Sequence, residues 1–266
     1  MTPNQTNIVS LLDAAHAAVS ARPEDDSLRL RFYERLADGE MFLLLETEAA
    51  GDTLTPRVFD LEDGPVVLIF DREDRLAEFS GGIAPYAALP GRVVAGMLKG
   101  QGIGLGVNLG VAPSSMMLPP EALDWLALAL ETAPSQVQAK PQEFFAPKGL
   151  PERLIEGLDT KLARAAGLAV GALLAGVEYA GGRRGHMLAF LDAVPGAEDA
   201  LARAASEALV FSGVEAGEMD VAFLDSAGPV AVAMGRVALR YDLPLVELPP
   251  ERPAPGSDPA KPPRLR

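Results

Sequence analysis

Residues 100–120 read GQGIGLGVNLGVAPSSMMLPP, a run of twenty-one residues between Lys99 and Glu121 without a charged side chain. Gly100, Gly102, Gly104 and Gly106 alternate with Ile103, Leu105 and Val107 in its first half. Successive residues of a strand point to opposite faces, so a strand over 102–109 has one apolar face and one of bare backbone. Glycine weakens a strand and marks a place where a neighbour comes close. The run therefore predicts a core strand with something packed tightly on its glycine side. Its glycines, Asn108 and prolines are unsuited to a lipid-facing helix.

Outward from this strand, the pattern alternates helical and extended segments. Helices are expected near 7–20 and 27–37, and strands at 40–46, 57–60 and 65–70, the last being PVVLIF. Asp71 reads as an N-cap, with Glu73 and Asp74 in the first turn of a helix reaching Phe79. A helix fits 90–98, a short strand includes Met116 and Met117, and Pro119-Pro120-Glu121 starts another helix. In that helix Leu123, Leu126, Ala127 and Leu130 form one apolar stripe. Trp125, the single tryptophan, lies off it and is expected at a contact surface, against Phe144-Phe145, the second domain or a partner.

The segment 133–148, APSQVQAKPQEFFAPK, reads as a linker, although Phe144 and Phe145 should dock. A second unit follows, with a helix carrying Leu154, Leu158, Leu162 and Ala165, strands at 169–179 and 186–192 joined by AGGRRG, and an alanine-rich helix at 197–210. A strand near 219–224, a helix near 228–236 and an extended stretch near 238–247 complete it. The tail from Pro249 has seven prolines in eighteen residues and is expected to be disordered. The predicted fold class is α+β. It comprises two α/β domains, 1–132 and 149–248, each a mixed sheet packed with helices, joined by the linker and followed by the tail of 249–266.

The chain has 266 residues, a net charge of −14 and no cysteine. Disulfides and thiolate chemistry are therefore excluded. The acidity is spread over both units, with 20 acidic and 9 basic residues in 1–132 and 14 and 8 in 149–248. Such a surface repels phosphate backbones, so nucleic acid is not an expected partner. The first residues lack a signal peptide's basic and apolar regions, and no membrane span is expected, which fits a cytoplasmic protein.

The runs GLGVNLGVAPSSMMLPPEALDWLA, VFDLEDGPVVLIFD and APYAALPGR resemble the N-terminal domain of the SseB family, named for enhanced serine sensitivity. LDTKLARAAGLAVGALLAGVEYAGGRRGHMLAFLDAVPGAE and EALVFSGVEAGEMDVAFL are similar to its C-terminal module. The resemblance covers roughly 7–132 and 149–245. It implies a bacterial cytoplasmic protein with a regulatory or binding role, and it supplies no active site, cofactor or substrate.

The residues themselves offer four candidate chemistries. A dinucleotide fingerprint fails, because the sixth position is Leu109 counted from Gly104 and Val107 from Gly102, and no P-loop occurs; no cofactor is expected. Ser114 and Ser115 lack a local base, the two histidines being His16 and His186. The acids Asp60, Glu62, Asp63, Asp71, Glu73 and Asp74 fit turns and a helix start better than a metal site. Arg183-Arg184, flanked by glycine and followed by His186, is a local concentration of positive charge able to hold a carboxylate or phosphate, or else to pair with Glu178 and Asp192.

The expected function is non-catalytic binding of another protein, on apolar surface near Trp125 and Met116-Met117 or at the arginine hairpin; homo-oligomerisation stays open. The alternative is a small-metabolite or anion sensor or enzyme. Its pocket would lie between the glycine strand and the Asn108–Ser115 loop, with Asn108, Ser114 or Ser115 meeting Arg183, Arg184 or His186.

Overall fold

A computed structural model describes residues 9–49, 51, 53–131, 141–213 and 219–244. The proline-rich tail and residues 132–140 lie outside the described residues. The first unit runs α1 (Leu11–Ala21), α2 (Asp26–Asp38), β1 (Glu40–Leu44), β2 (Val58–Leu61), β3 (Gly64–Phe70), α3 (Glu73–Ser80), β4 (Tyr86–Pro90), α4 (Gly91–Leu98), β5 (Gly104–Val107), β6 (Met116–Leu118) and α5 (Pro120–Glu131). The second runs β7 (Pro141–Phe145), α6 (Glu152–Leu162), β8 (Gly171–Tyr179), β9 (Arg184–Leu191), α7 (Glu198–Ser212), β10 (Met219–Leu224), α8 (Pro229–Gly235) and β11 (Leu239–Asp242). Each unit is built on one mixed sheet, so the fold is α+β with two α/β domains.

Both sheets use the same device. A long central strand is paired along one side by a full neighbour and shared on the other by two short strands. In the first sheet β5 runs parallel to β3, while β2 pairs with Gly64–Val67 of β3 and β1 with its last residues, Ile69 and Phe70. In the second, β9 lies antiparallel along β8, while β7 takes Gly176–Tyr179 and β11 takes Gly171–Leu174. The unbroken apolar run of β3 follows from burial on both faces. Val67 and Ile69 join the core under α1, α2, α4 and α5, and Val66, Leu68 and Phe70 pack with Leu76 of α3.

The glycine strand is shorter than predicted. Gly102 lies outside it with a φ of 67°, in a turn. Leu105 and Val107 face the helices, and the opposite side is filled closely. A Cβ on Gly106 would fall 2.5 Å from Leu68 and 2.6 Å from Leu109, and one on Gly104 would fall 3.1 Å from the Leu118 carbonyl oxygen.

Two local readings need correction, and one strand had no reading. Asp71 does not cap α3; Arg72 holds the N-cap position and makes no capping bond to the helix backbone, its side chain donating to Asp74 instead, and the Asp71 carboxylate turns elsewhere. Tyr86–Pro90, for which the sequence reading gave no element, is a strand beside β1. Residues 141–145 of the presumed linker are strand β7. There Phe145 pairs with Gly176, whose absent Cβ would sit 2.0 Å from the ring, so this glycine makes room for the aromatic. Glu62 and Asp63 do form a turn, closing the β2–β3 hairpin.

The units are packed together through α7. Its Leu201, Ala205, Ala208 and Leu209 cover the second sheet, while Phe211 is buried among first-domain residues.

Candidate functional site

Strands β3 and β5 are parallel neighbours, so their carboxyl ends share one end of the sheet, the place where open α/β sheets commonly bind ligands. Here the chain itself occupies that place. Asp71 follows β3 and Asn108 follows β5. Asn108 is fully buried with a φ of 49°, a conformation asparagine tolerates better than most residues. Its Oδ1 accepts from the Asp71 N–H at 3.1 Å, and its Nδ2 donates to Ser114 Oγ at 2.8 Å. Ser114 Oγ, equally buried, donates to Asp13 Oδ1 at 2.6 Å.

Arg75 of α3 completes the cluster. Its guanidinium donates to Asp13 Oδ2 at 2.5 Å and to Asp71 Oδ1 at 2.7 Å. Ser10, the N-cap of α1, donates its hydroxyl to Asp71 at 2.6 Å and accepts from the Asp13 N–H at 3.0 Å. Burial opposes ionisation of Asp13, but hydrogen bonds from Arg75, Ser114 and the Ser10 backbone outweigh it. They hold the carboxyl well below the usual carboxylate range. Two expected ligand residues, Asn108 and Ser114, therefore do meet, inside a network whose donors and acceptors are matched by protein groups. Ser115 stays outside it, exposed, accepting from the Gly110 N–H at 3.2 Å.

The arginine hairpin belongs to the other sheet and meets none of these residues. Arg183 donates to Asp220 at 2.7 Å and lies 4.2 Å from the centre of the Tyr179 ring, whose hydroxyl donates to the same carboxylate. Arg184 donates to Glu178 at 2.7 Å and lies over Phe145. Glu178 is thus a partner, whereas Asp192 accepts from the Ser226 N–H instead. The His186 ring contacts the Lys148 carbonyl oxygen at 3.2 Å. The pocket expected beside the glycine strand is filled by Leu68 and Leu109, and the hairpin guanidiniums are spent on their own sheet. Among the described residues no cluster of three or more His, Asp or Glu side chains could hold a metal ion.

Trp125 is 39% exposed. Its indole lies against Tyr33 of α2, ring centres 5.3 Å apart, and among the described residues no ring contact joins it to Phe144 or Phe145. Leu30, Tyr33, Ala122 and Trp125 line a groove of about 410 Å³, with Asp26 and Arg29 paired at its edge.

A further site, missed in the sequence, lies at the seam between the domains. Lys161 of α6, 5% exposed, donates to Asp38 of α2 and Glu207 of α7, each at 2.8 Å. Arg92 of α4 donates to Glu207 at 2.8 Å and to Asp38 at 2.5 Å, and Arg164 reaches Asp38 at 3.1 Å. Burial disfavours the charged form of Asp38, but Lys161 and Arg92 hold its carboxyl below the usual range. Glu34 is the exception. Burial pushes its carboxyl up, Lys161 Nζ is 3.9 Å away, and its Oε1 accepts no hydrogen bond from the described residues. The one sequence signal for this cluster was a charge on a helical face otherwise apolar: Lys161 beside Leu158 and Leu162, and Glu207 between Ala205 and Ala208.

Compared with known proteins, the chain matches no family model, no curated protein and no solved structure. Among the described residues no helix is long and apolar enough to cross a membrane.

Proposed function

We propose that this chain is a non-catalytic binding protein of the SseB type, acting in the cytoplasm by holding another protein in the groove between α2 and α5. The observation that carries this reading is Trp125, a large aromatic left half in water against Tyr33 in an apolar groove. Trp and Tyr dominate binding energy at protein interfaces because they bury much area at little entropic cost. Leu128, 55% exposed on the same helix, adds apolar surface. The non-catalytic part is supported by the commitment of Ser114 to Asn108 and Asp13, which leaves that hydroxyl no free base.

A photo-crosslinking residue at position 125 in living cells tests the reading, with Leu239 of the second sheet, 42% exposed, as the control position. One discrete adduct to a different protein is expected from position 125 alone, and it should vanish with Tyr33→Asp. An adduct of twice the chain mass, no adduct, or the same adducts from both positions would overturn it.

A further inference from the structure

The seam cluster borders a cleft of about 350 Å³ between the first domain and the α6–α7 pair. Its charge is unbalanced. Arg92, Lys161, Arg164 and Arg203 line it, against only two carboxylates, Asp38 and Glu207. In a protein of net charge −14 this is a local excess of two positive charges. The two inner cations, buried Lys161 and half-buried Arg92, are held on Asp38 and Glu207. The two outer ones are different. Arg164 has its side chain 49% exposed and shares Asp38 with both inner cations. Arg203, exposed on α7, has no ion pair or hydrogen bond among the described residues. The rest of the cleft wall includes the apolar side chains of Ala165, Leu168, Leu201 and Ala204.

We propose that this cleft binds a small organic dianion of the phosphate-monoester class, gripped by Arg164 and Arg203, with its apolar group lying against Leu168 and Leu201. Guanidinium forks suit the oxygens of a phosphate and keep their charge at any physiological pH. The dianion matches the excess charge of the cleft, which falls on Arg164 and Arg203 because Asp38 and Glu207 balance the two inner cations. The apolar wall favours the monoester over a bare inorganic ion, which leaves Leu168 and Leu201 in water and gains nothing from them.

Titration calorimetry of the whole protein at fixed ionic strength provides the test, with phenyl phosphate, inorganic phosphate and benzoate as probes. Phenyl phosphate should bind tightest, because inorganic phosphate lacks the apolar group and benzoate the second charge. Arg203→Ala should weaken phenyl phosphate about tenfold or more, the worth of one hydrogen bond to a charged group. Arg203 is exposed and has no ion pair or hydrogen bond among the described residues, so this variant should leave the melting temperature of the free protein nearly unchanged. Arg164→Ala should weaken binding similarly. Equal affinity for phenyl phosphate and inorganic phosphate, or for phenyl phosphate and benzoate, overturns the proposal, as does unchanged phenyl phosphate affinity in Arg203→Ala.

Discussion

Around Arg75 one guanidinium serves two carboxylates, and the charge left over is absorbed by the hydroxyls of Ser10 and Ser114 and by backbone N–H groups. Around Lys161 three cations serve Asp38 and Glu207, while Glu34 Oε1, 3.9 Å from Lys161, accepts no hydrogen bond from the described residues. The first cluster lies within one domain, where α1, α3 and the loop after β5 settle together. The second is assembled from helices of two domains. A polar network that satisfies itself rigidifies a fold; one that does not leaves capacity for something else. The difference is what sets the proposed binding cleft apart from a structural cluster.

The largest effect should come from removing the centre of the closed cluster. Arg75→Met would leave Asp13 and Asp71, side chains 3% and 6% exposed, without their cation. Breaking a buried pair this way costs about 3–5 kcal/mol. Urea unfolding measures it. Lys161→Met should cost less, about 1–3 kcal/mol, because Arg92 and Arg164 still face Asp38 and Glu207. If the two variants cost the same, the seam is as tightly closed as the Arg75 cluster and the contrast fails.

A finer distinction separates adjacent serines. Ser114→Ala removes a buried hydroxyl bonded to both Asn108 and Asp13, which should lower stability by about 1–2 kcal/mol. Ser115→Ala removes an exposed one and should leave the urea midpoint within error. Acid sharpens the same point. Asp13 has its folded-state pKa held below the unfolded value, so its contribution is present above the ordinary value of 3.8 and is lost as pH falls toward the folded one. Unfolding curves below that value should show wild type losing stability that Asp13→Asn has already lost.

Much of this organisation was legible in the residues. PVVLIF reads as a strand and is one, though its burial on both faces is visible only in the fold; the glycine alternation predicted over 102–109 does admit close neighbours, at Gly104 and Gly106. Tyr86–Pro90 was not legible: its alanines and terminal proline carry little strand signal, and its pairing with β1 is a tertiary fact. Phe144 and Phe145 announced that they would dock, but not that Gly176 on another strand would receive one of them. Asn108 and Ser114 were singled out as ligand residues, and only the position of α1 shows where their hydrogen bonds go. The seam was hidden for a simpler reason. Lys161 lies 123 residues from Asp38 and 46 from Glu207, so no local window contains the cluster.

The smallest expected effect probes the unsatisfied acid itself. Burial raises the Glu34 carboxyl pKa above its ordinary value of 4.5, and Lys161 offsets this only in part. The folded protein therefore holds a proton at Glu34 over a pH range in which the unfolded chain has released it. Stability linked to this group is fully present below the unfolded value and is lost as pH rises through the folded one. Glu34→Gln cannot ionise and should not show that loss. Urea midpoints of wild type and Glu34→Gln, followed from pH 4 to pH 8, should differ by a gap that widens in favour of the variant as pH rises above 4.5. A constant gap would mean that Glu34 titrates alike in both states, and its neighbours at the seam would then be as well matched as those around Arg75. A gap widening in the opposite direction would mean that Lys161 outweighs burial and that Glu34 is a third paired carboxylate.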